Sequence, residues 1–186
     1  MMPKDKNSDC RRAGFQPGTA STCSVPTSKF YRQFILEASR SPKYRGKIEE
    51  TGLRPGEKVV RLEGSNPSCG DQLTLYLKIA VPSPSTLSTT AEGISSQKSE
   101  FQAARILDAR FEGSGCAISM ASAHFLCENI IGKATDEAQE YVAGYLKSID
   151  AGTPNPVYAP LDNVAQMPAR VECARLAWGV IFDRTH

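Results

Sequence analysis

The amino-acid sequence predicts an α+β domain in which helices pack on one face of a small antiparallel three-stranded sheet. Three observations predict it: an early run with helical apolar spacing, a central stretch of short strand-like segments, and helical runs through the last third. With 186 residues, 40% of them apolar, the chain can bury one ordinary core.

Residues 1–27 mix Lys, Asp, Ser, Thr, Pro and Gly without an apolar period, which reads as a disordered tail carrying Cys10 and Cys23 as incidental thiols. The domain is expected over 28–186. From Ser28, residues Phe30, Tyr31, Phe34, Ile35 and Ala38 recur at helical spacing until Pro42 stops the run, so Tyr31 and Phe34 are expected in the core. Val59–Glu63 reads as a strand. Leu73, Leu75, Leu77 and Ile79 then alternate with Thr74, Tyr76 and Lys78, the pattern of a half-buried second strand, and Ile106–Phe111 supplies a third.

Between the last two lies the segment 82–100, in which nine of the seventeen residues from 83 to 99 are Ser or Thr. It is a loop insert of low complexity, and its length costs little because closure entropy grows only logarithmically. The corner Gly113-Ser114-Gly115 opens a helix from about Cys116 to Ile131. Another helix is expected over Thr135–Ile149, with Asp136 and Glu137 at its electropositive first turn. Residues 150–168 are broken by Pro and Gly. Pro168 suits the first turn of a final helix running to about Phe182, with Leu176 and Trp178 on its buried side.

The net charge is +2, and no basic run exceeds Arg11–Arg12, so no nucleic-acid partner is expected. No apolar stretch approaches the ~18 residues of a membrane span. Met1 to Gly18 lacks the apolar region of a signal peptide, which points to the cytoplasm. In that reducing compartment cysteines serve metal binding or thiol chemistry more often than disulfides.

Three of the six cysteines have similar settings. Cys69 lies in the turn Asn66-Pro67-Ser68-Cys69-Gly70-Asp71, Cys116 follows the glycine corner at a helix start, and Cys173 lies in the first turns of the final helix. Free backbone N–H groups and the helix dipole favour thiolate there, and thiolate is the form that binds metal and attacks sulfur. Asp71 stands two residues after Cys69, so both can reach one ion, and zinc accepts such mixed sulfur and oxygen ligation. Cys127 is excluded, since eleven residues of helix place it about 16 Å from Cys116 at 1.5 Å per residue. It belongs to the apolar stripe of Met120, Ala123, Ile130 and Ile131. His124 reads as a surface or partner-facing residue, and His186 as a frayed end.

The segments Asn-Pro-Ser-Cys-Gly-Asp (66–71), Phe-Glu-Gly-Ser-Gly-Cys-Ala-Ile-Ser-Met-Ala-Ser-Ala (111–123) and Pro-Ala-Arg-Val-Glu-Cys-Ala-Arg-Leu-Ala-Trp (168–178) resemble the NifU/IscU-like family of iron–sulfur cluster assembly, specifically its SufU type in the SUF system. Phe30–Glu37 fits the family's first helix, and the resemblance covers roughly residues 28–183. It implies an IscU-like sandwich that holds zinc on Cys69, Asp71, Cys116 and Cys173. It also implies that Cys69 takes persulfide sulfur from a cysteine desulfurase of the SUF system and passes it toward downstream cluster-assembly proteins. The chain would then act as a zinc-dependent sulfurtransferase. Glu172, where the scaffold type has a His before its last ligand, and the long Cys116–Cys173 separation favour the SufU type. The 82–100 insert departs from both types.

The principal alternative is a scaffold that builds an iron–sulfur cluster on the same cysteines, since thiolates suit both. A purely structural zinc module and a Cys116 hydrolase are further alternatives, the latter lacking a well-placed His. Arg170 is a candidate supporting residue that could hold a carboxylate near the ligands.

Overall fold

The structure is a computed structural model that describes residues 28–81, 104–153, 155–158 and 161–182. The expected tail 1–27 with Cys10 and Cys23, the insert 82–100 and His186 lie outside the described residues. Helix α1 (Ser28–Arg40) precedes strands β1 (Glu57–Asn66), β2 (Asp71–Ala80) and β3 (Arg105–Ser114). Helices α2 (Ala117–Ile130), α3 (Thr135–Asp150) and α4 (Pro168–Phe182) follow, with two 3-10 turns at Pro156–Tyr158 and Asp162–Gln166 in the Pro-broken segment.

The sheet is antiparallel in the order β1-β2-β3, as the alternating pattern predicts. All three strands run beyond the expected bounds. Main-chain pairing continues where side-chain alternation stops, and Asn66 pairs with Asp71 at the very tip of the β1–β2 hairpin. Leu62, Leu73, Leu75, Leu77, Ile79, Ile106 and Phe111 point into the core, while Arg61, Glu63, Gln72 and Arg110 are exposed on the opposite face. Each fully buried aliphatic contributes about 1.5–3 kcal/mol. A register shift between Lys78 and Ile79 leaves Leu107 unmatched in the ladder, and that irregularity accounts for the exposure of this apolar side chain.

The helices cover the apolar face. Helix α2 lies against β3, α4 against β1 and β2, α1 on α2, and α3 on α4. Trp178 of α4 is almost wholly buried and stacks on Tyr145 of α3 at 3.9 Å between ring centroids, with Tyr158 of the 3-10 turn edge-on to it. The hydroxyl of Tyr158 donates to the carbonyl of Tyr141 at 2.8 Å, which ties the Pro-broken segment onto α3.

Some expected core positions differ. Phe34 is 37% exposed, because the face of α1 toward α2 is carried by Ile35 and Ala38. Its ring still stacks on Phe125 at 4.9 Å. Tyr31 and Leu176 are only partly buried against the core. Among the described residues, no helix is long and apolar enough to cross a membrane.

Candidate metal centre

The hairpin tip is built by Asn66. Its carbonyl accepts the backbone N–H groups of Cys69 (3.4 Å) and Gly70 (2.9 Å), and its side-chain oxygen accepts the N–H of Ser68 at 3.1 Å. Gly70 completes the turn at φ +72°, a left-handed conformation that costs a residue with a Cβ. This geometry presents Cys69 to solvent and sends Asp71, only 2% exposed, back under it.

Cys116 is the N-cap of α2. Its Sγ accepts the N–H of Ser119 at 3.4 Å, taking the place a serine hydroxyl usually fills. Its own N–H donates to Asp71 Oδ1 at 3.0 Å, which links the β3–α2 junction to the hairpin. Cys173 lies in α4, buried, with its Sγ 3.3 Å from that of Cys69. One residue further on, the carbonyl of Ala174 accepts the Ser122 hydroxyl at 2.6 Å, and that hydroxyl accepts Trp178 Nε1–H at 2.7 Å. This buried chain holds α4 on α2 beside the cysteine.

The structure thus brings Cys69, Asp71 and Cys173 together, with one ligand atom from each lying within 4.8 Å of the others. Cys116 is not in that mutual set; its sulfur caps α2 and its thiol lies against Asp71 and Cys173. Arg170 is exposed, and among the described residues its side chain holds no carboxylate. Cys127 is fully buried in the core, as expected from its stripe, and burial pushes its thiol far up.

His124 is not on the surface. It is 8% exposed between Tyr44 and Phe125, and burial draws its imidazole down from the ordinary value. The spacing of the helix placed it away from Cys116, but the side that α1 and the Tyr44 loop cover could not be read from α2 alone.

The donor set suits a cation. Burial alone would raise the Asp71 carboxyl, yet the Cys69 thiol, the Cys116 N–H and the Cys173 and Cys116 thiols together hold it below its ordinary range. Asp71 Oδ1 is occupied by the Cys116 amide, whereas Oδ2 is buried without a hydrogen-bond partner. A buried carboxylate oxygen left open is costly unless a cation meets it. Cys173 sits at a helix start but among other acidic groups. Burial, then the neighbouring Cys69 and Cys116 thiols and the Asp71 charge, push it strongly up. Three thiols and a carboxylate crowded together repel further negative charge, and a bound cation would reverse that balance.

Sequence reasoning missed the Asn66 side chain, Gly115 and Ser122. The Asn-Pro start of the turn was a legible signal for Asn66. Gly115 and Ser122 act through contacts between elements, which no local pattern encodes.

The sequence profile described as "NifU-like N terminal domain" matches residues 97–182. The chain is 33% identical over 158 residues to the iron–sulfur cluster assembly scaffold protein IscU of Thermotoga maritima, covering 82% of this chain and 90% of that one. It is 29% identical over 157 residues to the zinc-dependent sulfurtransferase SufU of Bacillus subtilis, covering 80% of this chain and 84% of the other. Among solved structures, FiSufU from the thermophile Fervidobacterium islandicum AW-1, described as a candidate cluster-assembly scaffold for the SUF system, aligns with a TM-score of 0.56 and 30% identity over 80% of this chain and 91% of its own.

Proposed function

Because the chain belongs to the NifU-like N-terminal domain family, that of the IscU and SufU iron–sulfur cluster assembly scaffolds, we propose that it is a sulfur acceptor that takes persulfide sulfur on Cys69 from a cysteine desulfurase of the SUF system. Cys69, Asp71, Cys116 and Cys173 would hold a zinc ion. The observation that carries this reading is the grouping of the Cys69 and Cys173 sulfurs, 3.3 Å apart, with a carboxylate oxygen of the buried Asp71, all within 4.8 Å of one another.

Bound there, zinc would supply positive charge that keeps the clustered thiols ionised at neutral pH. The rest follows from the chain's own residues. Cys69 is the exposed member of the set, so an incoming persulfide meets its sulfur first. Cys69 Sγ forms a bond to the outer persulfide sulfur as the bond from that sulfur to the desulfurase cysteine breaks. The desulfurase thiolate leaves with the electron pair, so no external oxidant or reductant is required. Cys173, Cys116 and Asp71 are more enclosed and keep the site assembled during the exchange. Downstream cluster-assembly proteins would then take the sulfur from Cys69.

The test is desulfurase turnover with the wild-type chain and with Cys69→Ala, with zinc measured in each. Stimulation by wild type and its loss in Cys69→Ala is the expected result. Equal stimulation by the two would overturn the proposal. A second reading, assembly of a cluster on Cys69, Cys116 and Cys173, is favoured by the IscU relative. Aerobic purification separates the two: a colourless protein near one zinc per chain supports transfer, and a brown one with acid-labile sulfide supports assembly.

A further inference from the structure

The three sulfurs are not hydrogen-bonded alike. Cys116 Sγ accepts the Ser119 backbone N–H at 3.4 Å, and Cys173 Sγ accepts the side-chain amide Nδ2–H of Asn66 at 3.9 Å. Among the described residues, no N–H donates to Cys69 Sγ. Its thiol instead donates to the backbone carbonyl oxygen of the same Asn66 at 4.0 Å and shares a 3.3 Å contact with the Cys173 sulfur. An N–H directed at a thiolate stabilises its lone pairs and makes it a poorer nucleophile, whereas a carbonyl oxygen offers no such stabilisation.

We propose that Asn66 is a positioning residue that assigns roles within the cysteine set, its side-chain amide restraining Cys173 as a holding ligand while its carbonyl leaves Cys69 as the reactive one. The proposal rests on the sulfur-acceptor reading above and names the residue that makes one thiolate of the site differ from its neighbours. Asn66 is itself 7% exposed, so its amide has little access to water and is committed to the site. Its side-chain oxygen is already taken by Ser68 N–H, which fixes the amide orientation and turns the Nδ2 side toward Cys173. One side chain thereby sets the turn carrying Cys69 and also reaches the helix carrying Cys173.

Asn66→Asp and Asn66→Ser each keep an oxygen for the Ser68 N–H and remove the donor to Cys173. The full-length, zinc-loaded chain is treated with iodoacetamide, and alkylation of each cysteine is followed by mass spectrometry. In wild type, Cys69 reacts first and Cys173 last. In both variants the Cys173 rate rises about fivefold or more relative to Cys69, the effect of losing a weak hydrogen bond to a charged acceptor. An unchanged Cys173 to Cys69 ratio overturns the proposal. So does an equal rise at Cys69, Cys116 and Cys173, which would mean that Asn66 only holds the turn together.

A second measurement leaves Asn66 in place. In the metal-free, reduced chain, the Asn66 side-chain amide proton should exchange slowly with solvent and shift when Cys173 is replaced by Ala. An amide that exchanges freely, or ignores that replacement, rejects the inference even if the variants fail to fold. Failure of the wild-type chain to take up zinc rejects the sulfur-acceptor reading, and the amide measurement still decides the role of Asn66.

Discussion

Gly115 lies against the carboxylate of Asp71 so closely that a Cβ on it would stand 2.9 Å from both Cγ and Oδ1. Asp71 Oδ1 is the atom that accepts the Cys116 N–H. The glycine before the N-cap cysteine therefore makes room for the hairpin's carboxylate at the start of α2. A Gly115→Ala chain must move Asp71, because the opposing atoms belong to a short, buried side chain held by the Cys116 N–H. Zinc affinity, measured by competition with a chelator, is expected to fall about 10- to 100-fold, the usual effect of disturbing a group that orients a ligand. Unchanged affinity would show that Asp71 does not contribute to the site.

Ser122 joins α2 to α4 by accepting Trp178 Nε1–H and donating to Ala174 O. The indole N–H is buried, so Ser122→Ala strands that donor without access to water, while the Ala174 carbonyl keeps only its helix bond. Urea unfolding should report a loss of about 1–3 kcal/mol at an unchanged denaturant slope. The same change frees the backbone next to Cys173, so zinc affinity should weaken along with stability. A stable variant with full affinity would mean that packing of Trp178 on Tyr145 alone holds α4 in place.

The contrast between these two residues and the strands explains how far the sequence could be read. Alternation from Leu73 to Ile79 specifies a strand because every second side chain must enter the core, and the breaks at Pro42 and Gly113–Gly115 mark element ends. The cysteine settings were local as well: a turn, an N-cap and a helix start are each written within a few residues. What those patterns could not carry is the relation between elements. Phe34 has the helical spacing of a core residue, but which edge of α1 meets α2 depends on the crossing of the two helices. The surroundings of Cys173 are a second case. The helix dipole is local, whereas the burial of its thiol and the crowding by Cys69, Cys116 and Asp71 come from other elements.

His124 gives the fold a pH dependence. Its ring sits between Tyr44 and Phe125, and Nδ1 is buried without a hydrogen-bond partner. Burial lowers its proton affinity below the ordinary value of 6.5. The nearby Glu128 opposes that effect, and Lys43 and Arg45 reinforce it. The folded state therefore binds this proton less readily than the unfolded chain. Stability from the neutral imidazole is complete above about pH 6.5 and declines as the pH falls from there toward the folded-state pKa. Urea unfolding at pH 7.5 and 5.5 should show wild type losing stability on acidification, with a slope of at most about 1.4 kcal/mol per pH unit from this group. His124→Gln should be less stable at pH 7.5, having lost the ring contacts, yet show a shallower loss between the two pH values. Equal slopes for the two proteins would place the acid sensitivity elsewhere and leave His124 as a packing residue only.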